Sequence, residues 1–191
     1  IDSQAVRLME KAAQKVMGGL VDLHGKSLTE KPEGFIDKDE VPHAWHYLVN
    51  PGSSITGRCM LEGNDLTVLH NGEAAYPVML KAISEAKERV FLSSFIFGYD
   101  EVGKSFAAAL RAAAERGCDV RLLMDGVGSF HLWPSWRKRL GPDVKLAYFL
   151  PPRLIPPQFS INLRTHRKVL ICDSETGFTG GMNISQNHLA N

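Results

Sequence analysis

Asn162-Leu-Arg164-Thr-His166-Arg-Lys168-Val-Leu-Ile-Cys-Asp173, followed by Gly177-Phe-Thr-Gly180-Gly181-Met-Asn183, is the stretch from which the rest of the chain is read. Val169 to Cys172 is a short apolar, partly β-branched run and predicts a buried strand. In a strand, residues two apart face the same way, so His166 and Lys168 share a face. Arg164 and Asn162 join them if the strand starts that early. Asp173 ends the run, residues 174–177 supply turn chemistry, and a second strand brings Asn183 back. An imidazole, an ammonium and an amide then converge on one point, which suits a phosphate.

The residue types fit that chemistry. A phosphodiester is anionic and repels nucleophiles, so its oxygens must be neutralised while an attacking atom is offered. Lys168 supplies a point charge, and the Asn183 amide donates hydrogen bonds without adding charge. Imidazole is nucleophilic near neutral pH, so His166 can attack phosphorus and split one hard step into two. A lone His beside a Lys at a strand start is usually surface or packing; here the whole spacing is present at once.

His-x-Lys, four residues, Asp, six residues, Gly-Gly-x-Asn resembles the HKD signature of the phospholipase D superfamily. The form Asn-x-Arg-x-His-Arg-Lys with Gly-Gly-Met-Asn-Ile is similar to bacterial cardiolipin synthases in particular. The likeness extends upstream over Gly63-Asn64, Leu69 to Gly72, Phe95 to Asp100 and Val120 to Ser129, so it covers residues 60–189. It implies that His166 is a nucleophile or acid, that Lys168 and Asn183 bind phosphate, and that neither metal nor other cofactor is needed. Asp173 of the motif joins His166 and Lys168 in the catalytic set, and Arg164 and Gly181 join the phosphate contacts. Many members of the superfamily have Ser where Gly181 stands, so one hydroxyl contact is missing or replaced.

Upstream, residues 60–191 read as α/β. Leu66 to Leu69 predicts a short strand and His70-Asn71-Gly72 a turn. A helix follows to Arg89, with Pro77 near its first turn. Strands are expected at Val90–Phe97, Val120–Met124 and Val144–Phe149, with helices at Val102–Arg116 and Trp133–Leu140 between them. This alternation predicts a mixed, largely parallel β-sheet flanked by helices, the last hairpin adding antiparallel strands. Residues 1–59 form an N-terminal appendage: an amphipathic helix over 2–17, read as docking on the domain, then a polar segment punctuated by Gly and Pro. His43-x-x-His46 lacks a third ligand at metal spacing. His24-Gly-Lys26 repeats the His-x-Lys spacing without a following strand and is set aside as a second copy.

Two loops fall at strand ends, where ligands bind. Asp125-Gly-Val-Gly-Ser129 either touches a phosphate or makes the turn, and turn-making is favoured. Pro151 to Asn162 carries Leu154, Ile155, Phe159 and Ile161 among its prolines. That apolar surface lines an acyl-chain groove, dips into a membrane surface, or packs over the sheet; the residues leave all three open.

A net charge of +1 argues against nucleic acid as the partner, although Arg137, Lys138, Arg139 and Lys145 make a local basic stripe. Cys59, Cys118 and Cys172 are odd in number and scattered, which suits a reducing compartment. The expected location is therefore cytoplasmic, or peripheral at the inner membrane face.

Displacement at phosphorus through a phosphohistidine needs a second group on the far side to protonate the leaving oxygen. The superfamily supplies it from a second HKD motif, in one long chain or in a homodimer. The single motif here is read as the N-terminal half of a longer protein in preference to half of a homodimer. Three activities follow. The first is a phosphatidyltransferase or phospholipase D acting on a phospholipid; the second is an HKD nuclease acting as a homodimer. The third is a non-catalytic half-domain that serves assembly.

Overall fold

The computed structural model describes residues 41–43, 63–129, 135–154, 157–158 and 164–190. Strand β1 (Arg89–Ser94) is the middle of its sheet, and its sequence explains why. Val90, Phe91 and Leu92 are consecutive and all buried, so both faces of this strand are covered, as a central strand requires. On one side lie β2 (Asp119–Asp125) and β3 (Lys145–Phe149). On the other lie β6 (Val169–Cys172) and β7 (Thr176–Thr179), giving the order β3-β2-β1-β6-β7. The ladders β1–β2 and β2–β3 are parallel, while β1–β6 and β6–β7 are antiparallel. This is the mixed sheet expected. β4 (Arg153–Leu154) and β5 (Pro157–Gln158) make a separate two-residue antiparallel pairing.

The helices are α1 (Asn71–Glu85), α2 (Glu101–Glu115) and the short α3 (Trp136–Leu140). One alternating set of strand residues, including Val90, Leu92, Val120, Leu122 and Leu170, joins Ile83, Phe106, Leu110 and Trp136 in a single core cluster. Asp100 starts α2 by accepting from Gly103 N at 2.9 Å, an N-cap that satisfies one of the helix's orphan donors. Gly117, at φ +97°, ends the segment in a conformation that suits a residue without Cβ.

Three expectations are corrected. Residues 66–69 form no strand, since a strand needs a hydrogen-bonding neighbour and they have none among the described residues. Helix α1 begins at Asn71, where a turn was expected, so Pro77 lies in its interior and leaves Glu73 O without its helical donor. β1 ends at Ser94 instead of Phe97, because Ser94 Oγ bonds Ile96 O at 2.6 Å and the chain leaves the ladder there. Phe97 rejoins only through an isolated parallel bridge to Ile184.

The expected division at 59/60 lies outside the described residues, and Leu69 to Ala190 of the described chain cluster in the unit that contains the sheet. The helix expected over 2–17, the His46 partner of His43 and most of the proline-rich loop, including Asn162, lie outside the described residues.

The register fixes which ends meet. Ser93 pairs with Val169 and Val90 with Cys172, so the segment leading into β6 lies beside the C-terminal end of β1. The C-terminal ends of β2 and β3 lie at the same end of the sheet, where open α/β sheets bind ligands.

Candidate active site

Phe95, the first residue past β1, is the surface on which the candidate site is assembled. The His166 ring lies over it at 5.0 Å between centroids, tilted by 46°. The Lys168 ammonium sits 5.4 Å from the centroid of the same ring, within cation–π range. Two residues apart on extended backbone, His166 and Lys168 do share a side. Their exposures differ: His166 is open to solvent, whereas Lys168 is only 8% exposed. Lys168 Nζ donates to His166 O at 3.0 Å, which bends the ammonium back toward the histidine. Burial lowers the Lys168 pKa from its usual value, since removing water disfavours the charged form.

Asn183 arrives from the other side. Its Oδ1 accepts from Ile96 N at 3.0 Å, one residue beyond Phe95, so its Nδ2 donors are held in a fixed direction. The backbone is tied as firmly. Asn183 N donates to His188 Nε2 at 3.1 Å, and the Tyr76 hydroxyl lies 2.8 Å from both Asn183 O and Ser185 O. Burial raises the Tyr76 phenol above its usual range, so it stays a protonated donor. Ser185 Oγ and Gln186 N bond Asp100 Oδ2 at 2.9 and 2.8 Å, fastening the segment to the start of α2. Burial alone would raise the Asp100 carboxyl, but its hydrogen bonds outweigh that and hold it below the usual range.

The other expected members are placed differently. Arg164 Nη1 donates to Leu150 O at 3.1 Å and lies 3.5 Å from Asp125 Oδ1, so its guanidinium is committed to the protein. Asp173 is not brought to the cluster. It follows β6 at the opposite end of the sheet, seven residues of largely extended chain or about 20 Å from His166. There its carboxylate accepts from Lys87 N, Glu88 N and Arg89 N at 2.9, 2.9 and 3.0 Å. Those bonds, Arg89 first, lower its pKa. Gly181 is exposed, and a Cβ built on it would meet nothing within 4 Å. A groove of about 690 Å³ lined by Val78, Lys81, Lys87, Asp173 and Phe178 also lies at the Asp173 end, away from His166.

Sequence reasoning missed Phe95, Tyr76 and His188. Phe95 carried two usable signals, its place near the end of an apolar run and its inclusion in the likeness over Phe95 to Asp100. Tyr76 and His188 carried none, because their partners are backbone atoms: Asn183 O, 107 residues away, for Tyr76, and Asn183 N for His188, which only a short 3₁₀ turn brings back to it.

A mixed sheet that gathers His-x-Lys and Gly-Gly-x-Asn segments at one end defines a phospholipase D-like domain. Residues 79–191 match the family described as "Cardiolipin synthase, PLD-like domain", and the chain belongs to that family. It is similar to cardiolipin synthase B of Escherichia coli strain K12, with 42% identity over 131 residues, 68% of this chain and 32% of that protein. It is also similar to the major cardiolipin synthase ClsA of Bacillus subtilis strain 168, 36% identical over 131 residues, 67% of this chain and 27% of that one. The chain thus spans about a third or less of these curated relatives. Among solved structures, NucT from Helicobacter pylori superposes with a TM-score of 0.48 at 23% identity, covering 61% of this chain and 70% of NucT.

Proposed function

We propose that this chain carries one half of a two-motif active site that transfers or hydrolyses the phosphodiester of a phospholipid, with His166 as nucleophile. The observation that carries the reading is the sharing of Phe95 and Ile96. His166 and Lys168 both rest on the Phe95 ring, and the Asn183 carboxamide is fixed on the next residue. The names of the relatives support the lipid class, and the net charge of +1 supports it over nucleic acid.

An imidazole nitrogen of His166 attacks phosphorus, forming an N–P bond as the P–O bond to the leaving alcohol breaks. The leaving oxygen takes a proton from an acid on the far side, supplied by a second motif in the same protein or in a second copy. An acceptor alcohol, or water, then attacks phosphorus and releases His166, giving its proton back to that group. Lys168 and the Asn183 Nδ2 donors face the phosphoryl oxygens, where fixed charge and hydrogen bonds stabilise the transition state most. Asp173 acts in this scheme as a structural member of the motif. The lipid substrate places the reaction at a membrane surface, which the protein meets peripherally; no helix among the described residues is long and apolar enough to cross one.

Phosphatidylglycerol supplied with and without a primary alcohol tests the proposal. Phosphatidyl transfer to the alcohol, with an acid-labile, base-stable adduct lost in His166→Ala, is the expected result. Cleavage of oligonucleotides with untouched lipid would overturn the substrate class, and an undiminished adduct in His166→Ala would overturn the nucleophile.

A further inference from the structure

The turn after β2 has more partners than a turn needs. Asp125 is fully buried, and its Oδ1 accepts from Val127 N and Gly128 N at 2.9 and 3.0 Å, which closes the turn. Its Oδ2 reaches across 40 residues to accept from Thr165 N at 3.1 Å, and Arg164 Nη1 lies 3.5 Å from Oδ1. Asp125 therefore grips the two residues that immediately precede His166. Ser129 at the other end of the turn grips the opposite partner. Its Oγ donates to Phe95 O at 2.8 Å and accepts from Phe97 N at 2.9 Å. Between them Gly128 lies against Phe95 itself. A Cβ there would come within 2.5 Å of Phe95 O and 2.8 Å of its ring, contacts that real side chains do not make.

We propose that Asp125, Gly128 and Ser129 are positioning residues that clamp the segment leading into β6 and the Phe95 ring against each other and so set the direction of the His166 imidazole. The inference rests on the reading of His166 as the reactive group and deepens it. None of the three needs to touch substrate. A buried carboxylate is costly unless its acceptor sites are filled, and here filling them requires residues 164 and 165 to stay in place. The clamp and the histidine therefore hold or fail together. Misplacing a reacting group by about 1 Å costs on the order of a hundredfold in rate, which is the scale on which such a clamp matters.

The ring protons of His166 report the clamp directly, because the current of the Phe95 ring at 5.0 Å displaces their NMR resonances. In the full chain, Phe95→Leu should abolish that displacement. Asp125→Asn keeps an oxygen toward Val127 and Gly128 but turns an NH₂ toward Thr165 N–H, leaving two donors face to face. A folded Asp125→Asn should lose more than half of the displacement, and inorganic phosphate, titrated on the same resonances, should bind at least about tenfold more weakly. Gly128→Ala should do the same, whereas Val127→Ala, in the same turn with an exposed side chain, should change neither.

If Asp125→Asn does not fold, Gly128→Ala and Ser129→Ala decide. Folded clamp variants with wild-type His166 resonances overturn the inference, as does a wild-type His166 that shows no Phe95-dependent displacement. If phosphate leaves wild-type His166 unmoved while the clamp variants shift it, the clamp stands and the phosphodiester reading falls. If phosphate binds at His166 and the clamp variants change nothing, the reverse holds.

Discussion

The two ends of β6 both carry polar residues of the motif and hold them in opposite ways. Before the strand, His166 is solvent-exposed, and Lys168 keeps its ammonium over the Phe95 ring and bonded to His166 O. After it, Asp173 has its carboxylate filled by three consecutive backbone donors, Lys87 N to Arg89 N. All three belong to one spacing motif, yet one end gathers on an aromatic ring and the other is bonded to the backbone. A motif read as a unit thus divides, in space, between the two ends of the sheet.

Substitutions should separate the two ends, the largest effect coming first. In the active assembly, His166→Ala should lower turnover of phosphatidylglycerol by at least about a thousandfold, as loss of a nucleophile does, with the thermal transition nearly unmoved. Lys168→Ala should cost about a hundredfold or more in kcat, since it removes charge aimed at the developing oxyanion. It should not unfold the domain, because the ammonium is held against burial; a collapse of the thermal transition would make Lys168 architectural. Asp173→Ala should do the reverse. Turnover should stay within a fewfold, while chemical denaturation shows a loss of about 1–2 kcal/mol from the missing charged acceptor.

The sign of the pH dependence follows from the lowered Asp173 carboxyl. Its folded value lies below the unfolded one of about 3.9, so its contribution is complete above that pH and is lost as pH falls through the lower value. The stability gap between wild type and Asp173→Ala should therefore close in acid; a gap that widens there contradicts the assignment. The smallest effect belongs to Gly181→Ser. Open space surrounds the Cβ position and its φ is not in the left-handed region, so stability should be unchanged. Turnover should change by no more than about threefold, the scale of one solvent-screened hydrogen bond.

Much of this was legible from residues alone, for identifiable reasons. β1 and α2 were readable because local patterns determine them: a run of buried β-branched and aromatic residues in one, apolar positions at helical spacing before Gly117 in the other. Residues 66–69 misled because three apolar residues specify a strand only where a neighbouring edge exists, and no sequence pattern announces an edge. Of the candidate site, His166, Lys168 and Asn183 were legible through type and spacing. The diversion of Arg164 to Asp125 was not, because a guanidinium serves a phosphate and a carboxylate equally well and only the fold chooses between them. Asp173 was misplaced for a related reason. Spacing along a strand fixes which way side chains point, not how far apart its two ends lie.

The bond from Ile96 N to Asn183 Oδ1 closes a loop of 87 residues, and the clamp from Asp125 to Thr165 one of 40. A nascent chain that has delivered everything through β3 holds the helices, the parallel half of the sheet and the Phe95 ring, yet lacks the imidazole that rests on it. The remaining members of the cluster come with a single late hairpin and the segments that flank it. The order of synthesis therefore delivers His166 only after the scaffold that orients it is already standing.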